Sequence, residues 1–324
     1  MKKTLIIAEV GNNHEGNFNV AKKLIKSAKK SGADAVKLQY IDPDKFFHNS
    51  QKKNIKNFRK FFLNKKNLEN LKLFADKLKI KLFTTFFDLY NLKKLGKNFK
   101  FFKIASSDNN FKELIKEVLK KKKPTFISLG LLEKSEINNL VTFLKKIDKK
   151  VYNYVSLLYC ISSYPAKEEE INLKMISFLK KKFPNFSIGY SDHSIGNEAC
   201  YAAVSLGAEV IEKHFTLSKK FSKFRDHQLS ADPEEMSTLV KSVRKIETMI
   251  YSKNKTNVQK KNMKIFRRSI FLKRNVKKGE KIKKRDLIYL RPEIGVKLEE
   301  ENQILGKKIK IDLKKNSPIK KSYF

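Results

Sequence analysis

The chain has 324 residues, a formal net charge of +40 and only two cysteines. No CxxC pair is present and no apolar run approaches the ~18 residues of a membrane span, so we expect a cytoplasmic protein without disulfides or membrane partners. Only eight of the 73 basic residues are Arg, which nucleic-acid readers favour, so we interpret the charge as a lysine-rich coding bias and expect no nucleic-acid partner.

Short β-type runs alternate with helical patterns through most of the chain. The candidate strands are Leu5–Val10, Ala35–Gln39, Leu82–Phe86, Phe101–Ser106, Thr125–Gly130, Val155–Cys160, Ser187–His193 and Ala208–Phe215. The helical patterns are Val20–Lys30, Leu68–Leu78, Phe111–Lys121, Ser135–Lys146, Leu173–Lys182 and Glu198–Leu206. The stretch Ile41–Phe62 is predicted as a long loop rich in Phe and Lys. A final helix, Pro233–Ile250, begins with Asp232 as N-cap and Pro233 at its first position.

This alternation predicts the fold class. Eight strand–helix repeats over about 250 residues are what a (β/α)₈ barrel, or TIM barrel, requires. An open doubly wound sheet is the alternative, but it rarely needs eight regular repeats. In a barrel, the residues at the C-terminal ends of the strands are usually catalytic. The strand ends are therefore the first place to look for a functional site.

The end of the chain has a different pattern. Residues 251–264 are polar and lack apolar periodicity, so we predict a barrel domain over residues 1–252 and a linker over 253–265. Residues 266–324 contain short β-type runs and turns, including Arg267–Leu272 and Lys277–Glu280. A core is marginal in a segment of about 60 residues. We therefore predict a small β-rich domain that depends on another surface for stability.

Polar side chains stand at the ends of the predicted strands. They are Glu9, Lys37, Gln39, Thr85, Lys103, Ser106, Ser128, Tyr164, His193 and His214. Some of the hydroxyl groups at such positions only cap strands or bond loop amides. A buried lysine without a partner is costly, however, so Lys37 and Lys103 need a negative charge nearby. We expect an anionic ligand between them.

Two histidine motifs, Ser191–Ser194 and Glu212–Phe215, follow consecutive β-type runs. A helix-like segment separates the runs, so they form a βαβ unit with parallel neighbouring strands. His193 and His214 then project into one pocket, as a two-histidine metal site requires. His14 and His227 are ambiguous, because either a pocket role or simple loop hydrogen bonding would explain them.

In their order along the chain, these motifs resemble the sialic acid synthase family. The resemblance rests on Ile7–Gly16 (IAEVGNNHEG), Gly32–Gln39 (GADAVKLQ), Lys103–Ser106 (KIAS), Tyr164–Pro165, Gly189–His193 (GYSDH) and Glu212–Phe215 (EKHF). The tail resembles the antifreeze-like SAF domain of that family, with Arg291–Pro292 in the expected place. The resemblance covers essentially the whole chain. It implies a TIM barrel followed by a small β-clip domain.

The resemblance also implies a reaction and residue roles. Such an enzyme joins phosphoenolpyruvate to an N-acetylated amino sugar, such as N-acetylmannosamine, and is a transferase. The implied phosphoenolpyruvate site consists of Lys37, Thr85, Lys103, Ser106, Ser128, Ser162 and Ser191, and the implied sugar site of Gln39, Tyr164 and Asp226. Glu9, Asp108 and Asp226 are the implied catalytic acids, and His193 with His214 would bind Mn²⁺ or Mg²⁺. Arg291 would contact the sugar from the second subunit of a domain-swapped homodimer.

Other functions remain open at this point. A pseudaminic or legionaminic acid synthase, which uses a diacetamido-dideoxy hexose, fits the same motifs. A non-catalytic carbohydrate-binding homologue is a further alternative, although the intact lysines and histidines argue against it. A nucleic-acid binder selected by charge would bind with steep salt dependence, and it gives no reason for histidines at adjacent strand ends.

Overall fold

The computed structural model describes residues 3–224, 226–252 and 256–324. The chain forms two compact units, Met1–Tyr251 and Ser252–Phe324. Each unit has its own cluster of buried hydrophobic side chains. Among the described residues, no helix combines the length and apolar character needed to cross a membrane.

The first unit is a closed barrel of eight parallel strands in sequential order, which confirms the predicted TIM barrel. The strands are β1 (Leu5–Gly11), β2 (Ala35–Tyr40), β3 (Lys81–Phe86), β4 (Phe102–Ile104), β5 (Thr125–Ser128), β6 (Val155–Tyr159), β7 (Ser187–Asp192) and β8 (Val210–His214). Most of their side chains are buried, since the barrel interior and the surrounding helices cover both faces of each strand.

The strand register aligns the polar residues at the C-terminal ends. Glu9 on β1 is level with Lys37 on β2 and with His214 on β8. Thr85 on β3 is level with Lys103 on β4. Side chains alternate between the two faces of a strand. Residues that are paired across neighbouring strands therefore point to the same side of the barrel wall.

Helices cover the outside of the barrel and also follow some strand ends. They are α1 (Phe18–Lys30), α2 (Pro43–Phe46), α3 (Lys52–Arg59), α4 (Lys65–Lys77), α5 (Leu89–Leu95), α6 (Lys112–Leu119), α7 (Lys134–Ile147), α8 (Lys174–Lys182), α9 (Glu198–Ser205), α10 (Asp226–Leu229) and α11 (Pro233–Ile250). The caps follow the local sequence: the Asn17 side chain accepts from two amides of α1, and Asp232 with Glu235 forms a capping box on α11.

The largest difference from the sequence prediction lies in Ile41–Phe62. This stretch was predicted as a loop but contains the short helices α2 and α3. The two helices have only four and eight residues, and α3 buries only Ile55, so too few turns are present to give a periodic signal in the sequence. These helices lie at the end of β2, where they border the cavity described below.

The described part of the second unit includes the α-helix α12 (Asn257–Phe266) and a two-stranded antiparallel sheet of β9 (Ser269–Leu272) and β10 (Leu287–Leu290). Its core consists mainly of Ile, Leu and Val side chains, such as Ile270, Leu272 and Ile319. Residues 253–255 of the predicted linker lie outside the described residues, and α12 occupies most of the remainder. The linker stays a prediction.

Candidate active site

Four charged side chains meet inside the barrel at the strand ends. The Lys37 ammonium lies 3.2 Å from a carboxylate oxygen of Glu9 and 3.2 Å from Glu212, and the Lys103 ammonium also lies 3.2 Å from Glu212. All four side chains are buried. Acidic and basic groups thus lie in contact and compensate each other, as burial of charge requires. Glu212 is the centre of this cluster, because it contacts both lysines.

Hydrogen bonds extend the charged cluster around the barrel. Lys103 donates to the Ser128 hydroxyl at 2.6 Å, and the Ser191 hydroxyl donates to Glu212 at 2.9 Å. On the other side, the Gln39 amide donates to Glu9 at 3.1 Å. The side chains of β1, β2, β4, β5, β7 and β8 are therefore connected in one polar network.

The two carboxylates have opposite pKa shifts. Burial raises the pKa of Glu9 to about 7, despite the opposing charge of Lys37. Burial alone would raise the pKa of Glu212 too, but the charges of Lys103 and Lys37 outweigh it and lower that pKa to about 2. Glu212 is therefore a permanent negative charge, while Glu9 is suited to exchange a proton near neutral pH.

His193 and His214 lie together beside this cluster. Their ring centroids are 5.4 Å apart, and the Tyr164 ring lies 4.2 Å from that of His193. Nδ1 of His193 donates to the carbonyl oxygen of Ile161 at 2.6 Å, which leaves its Nε2 as the nitrogen with a lone pair. Burial lowers the pKa of His193 to about 4 and also lowers the pKa of His214. Both imidazoles are therefore neutral at physiological pH.

The two histidines suit a metal site in which substrate and water supply the other ligands. The described residues include no group of three or more His, Cys, Asp or Glu side chains arranged to hold a metal ion. Nδ1 of His214 is buried and has no hydrogen-bond partner within the described structure. Two neutral imidazoles, one oriented by a backbone carbonyl, could hold a divalent cation whose other positions are taken by substrate and water.

A cavity of about 730 Å³ opens beside these residues. Its polar lining includes Gln39, Ser106, Ser162, Tyr164 and Asp226, all of which were predicted from the sequence. Gln39 connects the cavity to Glu9 through its hydrogen bond, and Tyr164 connects it to His193 through a tilted ring contact. The charged cluster, the histidine pair and the cavity therefore form one continuous site.

Comparison with protein families identifies the family of this chain. The model of the NeuB family matches residues 24–255, which is more than half of the chain. The chain belongs to the NeuB family. A second model, that of the SAF domain, matches residues 267–324 and so confirms the predicted tail. NeuB-family members are transferases that condense phosphoenolpyruvate with an amino sugar.

Several proteins are similar to this chain over most of its length. An uncharacterized protein of Methanocaldococcus jannaschii is 39% identical, with 98% of this chain and 93% of the relative covered. Two Campylobacter jejuni enzymes are also similar: N,N'-diacetyllegionaminic acid synthase is 37% identical (95% and 96% covered) and pseudaminic acid synthase is 35% identical (100% and 97% covered). The citrate complex of N-acetylneuraminic acid synthetase from Leptospira borgpetersenii is 34% identical and superposes with a TM-score of 0.74, covering 80% and 90% of the chains.

The remaining predicted residues are more scattered in this NeuB-family structure. The hydroxyls of Thr85 and Ser162 are buried and have no hydrogen-bond partner within the described structure. Asp108 is buried, accepts a hydrogen bond from Ser107 at 3.0 Å and does not line the cavity. Burial raises the pKa of Asp108. Arg291 is an exposed residue of the second unit, just after β10.

The two ambiguous histidines both make loop hydrogen bonds. Nδ1 of His14 accepts from the Gly16 amide at 3.0 Å. His227 shares hydrogen bonds with Thr216 at 2.7 Å through Nδ1 and with Glu15 at 3.1 Å through Nε2. The His227 contacts join the segment after β8 to the loop after β1.

Glu212 is a residue of the buried charged cluster that the sequence reasoning missed, although it stands in the Glu212–Phe215 motif. The signal was present in strand alternation, because Glu212 and His214 are two residues apart on β8 and must point to the same face. Lys213, between them, points to the other face and pairs with Asp192 at 2.7 Å.

Proposed function

We propose that this NeuB-family enzyme condenses phosphoenolpyruvate with an N-acetylated amino sugar and water, and releases a nonulosonic acid and phosphate. The observation that carries the proposal is the pair of buried lysines, Lys37 and Lys103, beside two histidines and a cavity. The lysines supply positive charge for the phosphate and carboxylate of phosphoenolpyruvate. The hydroxyls of Thr85, Ser106, Ser128, Ser162 and Ser191 complete this part of the proposed site.

The proposed chemistry proceeds in two stages. Carbon 3 of phosphoenolpyruvate attacks the aldehyde carbon of the sugar, the aldehyde π pair moves onto its oxygen, which takes up a proton and becomes a hydroxyl, and an oxocarbenium charge develops at carbon 2. A carboxylate of the buried cluster stabilises that charge. Water then adds at carbon 2, Glu9 accepts a proton from it, and phosphate leaves from the tetrahedral intermediate. Asp108 and Asp226 are the other proposed acids.

His193 and His214 are the proposed ligands of a divalent cation, Mn²⁺ or Mg²⁺. When bound, such a cation polarises the aldehyde of the sugar. The chain itself contributes two neutral imidazoles and the backbone carbonyl that orients one of them. The Tyr164 ring contacts the His193 ring at a tilt of 36° and restricts its position.

Gln39, Tyr164 and Asp226 are the proposed contacts to the sugar, since all three line the cavity. The candidate sugars are N-acetylmannosamine and the diacetamido-dideoxy hexoses that lead to legionaminic or pseudaminic acid. The test measures phosphate release from phosphoenolpyruvate with each sugar. Turnover with at least one of them supports the proposal, and release with none favours a non-catalytic carbohydrate-binding protein.

Assembly is a further part of the proposal. By its resemblance to SAF-containing synthases, the chain would form a domain-swapped homodimer in which Arg291 contacts the sugar bound to the partner's barrel. Mixing an Arg291→Ala protein with a His193→Ala protein tests this arrangement. Mixed dimers would carry one site with both residues intact, so activity should return after subunit exchange. No recovery despite demonstrated exchange contradicts the arrangement in trans.

A further inference from the structure

The short helix α10 begins with two buried residues that point in different directions. Asp226 lines the cavity, whereas the next residue, His227, does not. Successive residues of a helical turn are about 100° apart around its axis. The direction of the Asp226 carboxylate therefore depends on how the α10 turn is rotated, and any contact that fixes His227 also fixes that rotation.

The His227 ring is held at both of its nitrogens. Nε2 donates to the Glu15 carboxylate at 3.1 Å, and Nδ1 shares a hydrogen bond of 2.7 Å with the buried Thr216 hydroxyl. The rings of Phe221 and Phe224 lie against the imidazole, with centroid distances of 5.1 and 6.0 Å. A ring with both nitrogens bonded inside a packed surrounding has one favoured orientation.

A second chain of hydrogen bonds reaches the backbone of α10. The Asn13 side-chain amide donates to the carbonyl oxygen of Phe215 at 2.9 Å and to the Ser230 hydroxyl at 3.0 Å. The Ser230 hydroxyl in turn donates to the carbonyl oxygen of Asp226 at 2.5 Å. Asn13 and Ser230 are fully buried. One amide group thus fixes the first residue of α10 relative to the end of β8.

The loop after β1, residues 12–17, therefore holds α10 at two points. Glu15 bonds the side chain next to Asp226, and Asn13 acts on the Asp226 carbonyl through Ser230. Neither Asn13 nor Glu15 lines the cavity, so neither contacts a ligand bound there. Directional hydrogen bonds between buried groups specify one arrangement of the segments that they join.

We propose that Glu15 and Asn13 are positioning residues, which hold α10 so that the Asp226 carboxylate faces the amino sugar. This inference rests on the proposed function, in which Asp226 contacts the sugar. A group displaced by about 1 Å can cost up to about 100-fold in rate. The loss should appear in the constants for the sugar and not in the KM for phosphoenolpyruvate, because Lys37 and Lys103 lie on β2 and β4.

Variants of Glu15 test the contact to His227. Glu15→Ala removes the acceptor, so kcat/KM for the sugar should fall about 10-fold, measured by phosphate release with the most active of the candidate sugars. Glu15→Gln keeps an acceptor oxygen and should stay within about 2-fold of wild type. Glu169→Ala, at an exposed position outside the network, is the matched control. An equal rise in the KM for phosphoenolpyruvate would indicate a general disturbance of the barrel and overturn the inference.

A variant of Asn13 tests the second contact independently. Asn13→Asp keeps the shape of the side chain but lacks its two N–H donors, so a loss of similar size is expected. Asn70→Asp, exposed on α4, is the matched control. If Asn13→Asp and Glu15→Ala both fold and retain full kcat/KM for the sugar, the loop after β1 does not position Asp226.

A double-mutant cycle distinguishes positioning from a purely structural role. If Glu15 acts through Asp226, then Glu15→Ala should cause no further loss of kcat/KM in an Asp226→Asn background. Losses that add to within about 2-fold overturn the inference and leave the condensation standing. If Glu15→Ala does not fold, the same cycle with Asn13→Asp decides. Phosphate release by the wild type with none of the candidate sugars overturns the condensation, and this inference with it.

Discussion

The strand ends and the connections above them differ sharply in chemistry, although both line the same site. The strand-end layer is a buried network of charges around Glu212, held at distances set by barrel register. The loop layer is an aromatic wall, by which we mean the cavity-lining rings of Phe46, Phe47, Phe58, Phe87 and Phe224, which come from three separate connections and pack through ring contacts. One layer is suited to bind anions and move protons, and the other to bind apolar groups.

The difference indicates that the strand ends and the connections have separate functions. Reaction chemistry depends on groups placed to within a fraction of an ångström, and barrel strands provide that rigidity. The choice of sugar depends on the shape and polarity of the part of the pocket that the connections form. Substitutions in the connections can change that part without disturbing the strands. We therefore expect mutations of the two layers to affect different kinetic constants.

Removal of a strand-end lysine should have the largest effect. Lys37→Ala and Lys103→Ala should each lower kcat/KM for phosphoenolpyruvate by about 10³-fold, because an electrostatic contact to the reacting group is lost and Glu212 is left with less compensation. Lys146→Ala, exposed on α7, is the control and should behave like the wild type. A strand-end variant that folds and retains full activity would break the assignment of this layer to catalysis.

The role of these lysines is electrostatic rather than covalent. Pyruvate should therefore not replace phosphoenolpyruvate, because no lysine Schiff base is formed. Treatment with borohydride in the presence of pyruvate, followed by mass spectrometry, should yield no adduct. A trapped pyruvate on Lys37 or Lys103 would instead indicate an aldolase.

Loss of the metal site should be the next largest effect. Chelation should lower turnover by about 100-fold and Mn²⁺ or Mg²⁺ should restore it, and His193→Ala and His214→Ala should each lower activity by a similar factor, the upper range for loss of an outer-shell partner. His48→Ala, on an exposed loop, serves as the control. Full activity in chelator, with metal content verified as absent, is the contradicting result.

The outer faces of β7 and β8 carry a charged pair that is separate from the site. Lys213 and Asp192 form a fully buried pair on that face, away from the reacting groups. Lys213→Met should lower the free energy of unfolding by about 3 kcal/mol, because Asp192 is left as an uncompensated buried charge. Urea unfolding measures the loss. The KM for phosphoenolpyruvate of the folded protein should stay within about 2-fold of wild type, and a large change would show that the two faces are not independent.

A mutation that disturbs only the loop layer should have the smallest effect on the kinetic constants. Gly16→Ala places a Cβ against Lys60 and strains a left-handed backbone, so it should shift the segment that carries the aromatic wall. The expected result is a rise of about 10-fold in KM for the sugar with no change in KM for phosphoenolpyruvate, in line with misplacement of a positioning element. Equal changes in both constants would contradict the separation of layers.

Much of the barrel was predictable from the sequence, because strand alternation and helix periodicity are local signals. All eight strands lie within two residues of their predicted bounds at each end. The placement of Lys37, Lys103, His193 and His214 at the strand ends was also predictable, since each follows or ends an apolar run where an unpaired polar group would be costly. Asp108 shows the limit of this reasoning, because its partner is the neighbouring Ser107 and it does not line the cavity.

The sequence by itself therefore determined the repeat, the polar strand ends and the small second domain. Only the tertiary structure decided that Glu212 contacts both lysines, because that contact depends on the closure of β8 onto β1 and on the stagger of the strands. It also decided the aromatic wall, which brings together Phe46, Phe87 and Phe224 from distant parts of the chain. Contacts between connections follow no local period, so they become visible only when the barrel closes and places the connections side by side.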